Sequence, residues 1–284
     1  MDMSLGDTTA HWAARLPQEA LAVSYPDATL SWAELDARVV RRARRLQAHG
    51  VGHDDRVVVA LPNSTRFHEV CLALWKLGAT PCVVSPRLPP AEFEPMMALI
   101  EPKLIVGATA ALTGRRPRID DDGGIGADDS AFAGAVAPSW KAMGTGGSTG
   151  RPKVIVDHTP GRVDQRHDDL RRALSMNADA VVLNPGPLSH NAPFLFAHVA
   201  LFYGCPLIGM AHFDAEEALR LIERHRVTWV NFAPTMMHRI AALPQAVRDR
   251  YDVSSLRSVW HMAAPCAPWQ CVRGPVRNGH CAGR

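Results

Sequence analysis

Ten consecutive residues hold the densest chemistry in this sequence: Gly144-Thr145-Gly146-Gly147-Ser148-Thr149-Gly150-Arg151-Pro152-Lys153. Four glycines open backbone conformations closed to other residues. Consecutive amides can then turn inward as a nest for an anion. The hydroxyls of Thr145, Ser148 and Thr149 add donors, and Lys153 adds a positive charge. Phosphate is the natural ligand for such a surface.

Three known loop chemistries can be tried against these residues. A P-loop ends in Gly-Lys-Ser/Thr, but here Arg151 and Pro152 stand between Gly150 and Lys153, and Val154 follows the lysine. The dinucleotide fingerprint fails because Thr149 occupies the place of its third glycine. Gly146-Gly147-Ser148-Thr149-Gly150 does match the Gly-x-Ser-x-Gly elbow, which makes a serine hydrolase with Ser148 as nucleophile a rival reading. The elbow needs a strand before it and a helix after it. Trp140 to Met143 reads as a poor buried strand, and Pro152 to Val156 reads as a strand rather than a helix. A glycine hinge would need neither the lysine nor the hydroxyls.

The flanking sequence alternates helix and strand signals. Ser31 with Glu34 forms a capping box, and Leu35, Val39, Ala43 and Leu46 follow at helical spacing until Gly50. Arginines 38, 41, 42, 44 and 45 of that helix read as a solvated face. Val57 to Leu61 suits a strand buried on both faces. Val70, Leu74 and Leu77 mark a second helix, Pro81 to Val84 a strand, Ala91 to Ile100 a helix and Leu104 to Val106 a strand. Residues 113–139 form a polar, glycine-bearing connector. Alternation resumes with strands at Val154–Val156, Val181–Leu183, Leu207–Ile208 and Val227–Val230, and with a helix from Ala215 to His225. The order predicts an α/β fold with parallel sheets layered by helices.

Composition narrows the function classes. The 284 residues are 47% hydrophobic and 21% charged with a net charge of +3, which excludes disordered and collagen-like chains and argues against a nucleic-acid partner. Six cysteines without a Cys-x-x-Cys pair fit reduced thiols in a cytoplasmic protein. Pro185 to Phe213 lacks Asp, Glu, Lys and Arg, yet Pro187, Pro193, Gly204 and Pro206 interrupt it. A buried helix and strand fit it better than a transmembrane segment.

Thr145 to Lys153 resembles the signature loop of the AMP-forming adenylating enzymes, the superfamily of acyl-CoA synthetases, non-ribosomal adenylation domains and luciferases. Its usual form is Thr-Ser-Gly-Thr-Thr-Gly-x-Pro-Lys. Lesser motifs follow in the family's order: Leu30 to Leu35, Lys76-Leu77-Gly78-Ala79-Thr80-Pro81, and Pro187-Leu188-Ser189-His190-Asn191. The resemblance runs over residues 10–269 and implies an incomplete N-terminal large domain of such an enzyme.

The resemblance implies ATP-dependent activation of a carboxylic acid to an acyl-adenylate and then to a coenzyme A thioester. Thr145, Gly146, Gly147, Ser148, Thr149 and Gly150 would hold the ATP phosphates, with Lys153 as a catalytic cation beside them. His190 would gate the acyl pocket, lined also by Asn191 and by the turn Ala263-Ala264-Pro265. His261 has no such support and reads as structural. Ser189 to Phe194 offers no carboxylate for a substrate ammonium, so an acid without an α-amino group is expected. The glutamate with which the family helps hold Mg2+ has no counterpart: Asp252 is the last acid, and residues 253–284 hold four arginines. The tail 270–284 shows neither helical nor strand periodicity and reads as aberrant or disordered. A frameshift or early stop after Trp269 is the expectation this raises, giving an inactive copy. The alternative is a non-catalytic nucleotide-binding fragment or pseudoenzyme.

Overall fold

Short apolar runs alternating with amphipathic stretches build two large sheets in the computed structural model, which describes residues 2–107, 116–119, 130, 132–145, 152–261 and 281–282. The chain divides into two units, Met1–Ala20 with Leu30–Arg166 and Leu21–Thr29 with His167–Arg284. No helix among the described residues is long and apolar enough to cross a membrane.

The first unit opens with β1 (Met3–Ser4) and α1 (Thr8–Ala13), and its main helices are α2 (Trp32–Ala48), α3 (Thr65–Lys76) and α4 (Pro90–Ile100). The expected capping box starts α2: the Ser31 amide donates to Glu34 Oε2 at 2.8 Å, and the Glu34 amide donates to Ser31 Oγ at 3.3 Å. Leu35, Val39, Ala43 and Leu46 are buried as their spacing predicts. α3 is buried except at Arg66, so its buried charges, Glu69 and Lys76, need partners inside the protein. Glu69 is fully buried and takes two hydrogen bonds from Arg42, at 2.6 and 3.2 Å, and one from Arg38 at 3.4 Å. Arg42 is itself only 6% exposed. The arginine-rich face of α2 is therefore not simply solvated, because α3 presents a buried carboxylate to it. Lys76, also on α3, donates to Asp7 Oδ1 at 3.0 Å.

The six strands of this unit are β4 (Arg56–Val59), β5 (Thr80–Val83), β6 (Leu104–Val106), β7 (Arg118–Ile119), β8 (Lys141–Thr145) and β9 (Lys153–Asp157), in the order β7-β6-β4-β5-β8-β9. All pairings are parallel except β8 with β9. Phe93, Met96, Met97 and Ile100 of α4 pack against Val58 and Val84, with Val154 and Val156 alongside. β7 lies inside the segment read as a polar connector. A two-residue strand, β10 (Arg162–Val163), pairs antiparallel with β1.

The second unit is a seven-stranded sheet with β11 (Val182–Asn184), β12 (Leu207–Gly209), β13 (Trp229–Phe232), β14 (Ser258–His261) and β15 (Cys281–Ala282). β2 (Leu21–Tyr25) and β3 (Ala28–Ser31) complete the order β15-β14-β13-β11-β12-β2-β3. β2 joins through the parallel pair Leu207↔Val23, a contact that no local pattern announces. Its helices are α5 (Gln165–Ala173), α6 (Asn191–Phe202), α7 (Ala215–His225), α8 (Pro234–Ala241) and α9 (Gln245–Arg248). The charge-free stretch after Pro185 becomes α6 and β12, and the predicted helix from Ala215 to His225 forms with those bounds. Asp214 caps it by accepting from the Glu217 amide at 2.9 Å. Of the 270–284 tail, Cys281–Ala282 pair parallel with Val259–Trp260; the rest lies outside the described residues.

Candidate functional site

β8 runs parallel to β5, which runs parallel to β4, and β4 is parallel to β6. Val59, Val83, Val106 and Thr145 therefore end at one edge of the sheet, the carboxyl edge where open α/β sheets bind ligands. The glycine-rich segment follows Thr145 in the sequence. Thr145 and Lys153 face each other as the last antiparallel pair of β8 and β9. Lys153 is exposed. Gly146, Gly147, Ser148, Thr149 and Gly150 lie outside the described residues. Gly144, just before Thr145, is closely packed: a Cβ there would stand 3.1 Å from Met96 and Val84, which would have to give by a few tenths of an ångström.

Trp140 to Met143 reads as a poor buried strand in sequence, yet β8 is buried at Lys141, Ala142 and Met143. The lysine is accommodated chemically. Its Nζ sits 4.3 Å from the Trp140 ring centroid, and Lys141 pairs across the strands with Asp157. Burial pushes the Lys141 ammonium down to about 8, and Asp157 opposes that. Burial also pushes the Asp157 carboxyl up, but hydrogen bonds from Trp140 Nε1 at 2.7 Å and the Thr159 amide at 3.2 Å, with the nearby Lys141 charge, hold it below its ordinary value. Trp140 is fixed in turn by Trp75, whose Nε1 donates to the Trp140 carbonyl at 2.6 Å and whose ring stacks on it at 6.2 Å. This cluster clamps the base of the hairpin whose far end carries the turn. The signal that could have revealed it was the single lysine inside an otherwise apolar run.

The elements on either side of the glycine-rich segment bear on the elbow reading of Ser148. A nucleophile elbow joins a strand to a helix, whereas here strand β8 leads into strand β9. Ser148 itself lies outside the described residues.

In the second unit, β11 leads directly to the His190 segment. Asn184, the last residue of β11, is buried and donates to the Gly186 carbonyl at 3.3 Å and to the Tyr25 hydroxyl at 3.4 Å. Tyr25 lies against Gly209, where a Cβ would come within 1.9 Å of the ring. Burial raises the Tyr25 phenol far above its ordinary value, so it stays protonated. The His190 amide then donates to the Pro187 carbonyl at 3.0 Å, closing a turn, and His190 becomes the N-cap of α6 without a side-chain cap bond. His190 and Asn191 are exposed. Below them α6 is buried from Phe196 to Phe202, with His198 Nδ1 2.8 Å from the Phe194 carbonyl. His261 ends β14, paired with Phe232. Ala263, Ala264 and Pro265 lie outside the described residues. The structure thus brings Thr145 and Lys153 together in one unit and places His190 and Asn191 in the other.

A family model described as AMP-binding enzyme matches residues 9–136 and 142–272. The chain belongs to this family. Feruloyl-CoA synthase of an Amycolatopsis species is 31% identical over 271 residues, covering 89% of this chain and 53% of the relative. The 4-coumarate--CoA ligase 5 of Oryza sativa subsp. japonica is 30% identical over 268 residues, covering 84% of this chain and 48% of the relative. The chain spans about half the length of the curated relatives it matches. Among solved structures, the inhibitor-bound N-terminal domain of FACL13 from Mycobacterium tuberculosis aligns with a TM-score of 0.82 at 22% identity, over 98% of this chain and 74% of that one. That likeness speaks for the fold: the α/β architecture is that of the N-terminal domain of adenylating enzymes.

By residue type alone, the segment between β8 and β9 offers hydroxyls, glycine amides and the exposed Lys153. Among the described residues no three His, Cys, Asp or Glu side chains gather as a cation site, so none is assigned to magnesium.

Proposed function

We propose that this chain is the nucleotide-gripping and acid-activating portion of an AMP-forming acyl-CoA ligase. A carboxylate resists nucleophiles because of its charge. Transfer of its oxygen onto the α-phosphate of ATP expels pyrophosphate and gives an acyl-adenylate. The thiol of coenzyme A then takes the acyl group and releases AMP. The protein contributes mainly position and charge neutralisation. Thr145 to Gly150 hold the β- and γ-phosphates through amides and hydroxyls, and Lys153 offsets charge as pyrophosphate leaves. His190 and Asn191 border the acyl pocket, with Ala263, Ala264 and Pro265 as its small-residue wall.

The acid has no α-amino group. Ser189 to Phe194 contains no carboxylate to pair with an ammonium. Relatives named for ferulate and coumarate support that class.

One observation carries the reading: Thr145, at the carboxyl edge of the sheet, stands opposite the exposed Lys153 at the two ends of a segment rich in hydroxyls and glycines, in a chain that the family model matches nearly throughout. Titration of the chain with ATP, followed by calorimetry, tests it. Thr149→Ala with Lys153→Ala should weaken binding at least tenfold, since hydrogen bonds to charged groups contribute about 1.5–3 kcal/mol. Unchanged affinity in a folded variant refutes the assignment. Pyrophosphate exchange with a panel of aryl and fatty acids then separates a ligase from a chain that binds nucleotide without turnover.

A further inference from the structure

We propose that the outer edge of β9 docks β9 of a second copy of this chain, antiparallel, about a two-fold axis through Ile155. This inference shares Lys153 with the ligase reading, so its test is made at Ile155, which that reading does not use. β9 ends the six-stranded sheet, and among the described residues no strand pairs with its far side. Unpaired edges of this kind bind other strands unless charge, proline or a bulge blunts them. Here the centre of the edge is apolar. Ile155, the middle residue of β9, is 61% exposed.

The sequence of the strand selects its partner. Lys153-Val154-Ile155-Val156-Asp157 is complementary to itself when reversed. Centring the axis on Ile155 sets Lys153 opposite Asp157 of the second copy at both ends, Val154 opposite Val156, and Ile155 opposite its own counterpart. Opposite residues in antiparallel strands share a face. The Lys-Asp and Ile-Ile pairs therefore lie on one face. The valine pairs lie on the other, where Val154 and Val156 already pack with Phe93, Met96, Met97 and Ile100. A one-residue slip would turn these sets to the wrong faces, and a two-residue slip would set a charge against Ile155. Asp157 already accepts from Trp140 Nε1 and the Thr159 amide. A carboxylate has about four acceptor positions, so capacity remains for a lysine from across the axis.

Five paired residues cover far less than the roughly 1,200–2,000 Å2 of a stable complex, so the dimer is concentration-dependent. Sedimentation equilibrium of the whole chain between roughly 5 and 200 µM, a range that brackets micromolar affinity, reads it. Wild type should pass from monomer to dimer over that range. Ile155→Lys and Ile155→Glu each place like charges opposite one another and should weaken dimerisation several-fold. A one-to-one mixture of the two should restore a dimer, now heterodimeric, because only position 155 faces itself. Far-UV circular dichroism confirms that each variant folds, and Ile155→Thr, which keeps the β-branch, replaces either one that does not and should also weaken the dimer. A wild type that stays monomeric, including because another segment covers the edge, overturns the proposal. So do variants that dimerise like wild type, or a mixture that stays monomeric.

Discussion

Lys141→Met should stabilise the first unit at neutral pH. Lys141 is only 5% exposed, and burial pushes its ammonium down to about 8. In the unfolded chain a lysine titrates near 10.4, and the gap, at 1.36 kcal/mol per tenfold in acidity, corresponds to about 3 kcal/mol against the charged form in the folded state. Between about 8 and about 10.4 the unfolded chain holds the proton and the folded chain releases it. Wild-type stability from this group therefore rises with pH across that window, and the full cost is present below it. Methionine fills similar space without the charge. It gives up the contact with the Trp140 ring, about 0.5–2 kcal/mol; the attraction of Asp157 is already counted in the gap, and Asp157 keeps its bonds from Trp140 and Thr159. The expected net gain is about 1–2 kcal/mol at pH 7, within the range seen when buried charges are replaced by apolar groups of like volume. Urea unfolding followed by tryptophan fluorescence at pH 7, 8.5 and 9.5 measures it. A variant less stable than wild type at pH 7, or an advantage that does not shrink as pH rises, refutes the reasoning.

Two further substitutions test the packing. Glu69→Ala strands the buried Arg42 charge and should cost about 3–5 kcal/mol, whereas Arg38→Ala removes a longer bond from a side chain that is 35% exposed and should cost under about 1 kcal/mol; equal urea midpoints for the two variants would contradict the roles given to these arginines. Gly209→Ala forces a methyl group into the Tyr25 ring and should cost about 1–3 kcal/mol. In a Tyr25→Ala background the same change should cost almost nothing further, and simple additivity there would show that the ring is not the obstacle.

Much of the fold was legible where the signal is local. The Ser31–Glu34 box, the helix from Ala215 to His225 and the strand Leu104–Val106 follow from capping chemistry and from the period of the apolar residues, both of which act within a few positions. The chemistry of Gly144 to Lys153 is read from one contiguous run; of that run the structure adds that β8 and β9 bring Thr145 opposite Lys153.

Partners distant in the chain were not legible. A five-residue apolar run fits many sheets, and only packing placed β2 against β12, nearly two hundred positions away. Nor can an arginine-rich helix face disclose which of its charges will be buried; that was decided when α3 brought Glu69 against Arg42. Lys141 shows the rule most sharply. By its own propensity it argues against a buried strand, but Trp140 and Asp157 supply a ring face and a carboxylate once the hairpin closes. Sequence fixes what each segment can become on its own. Burial and pairing depend on which surfaces meet, and only the folded chain brings those surfaces together.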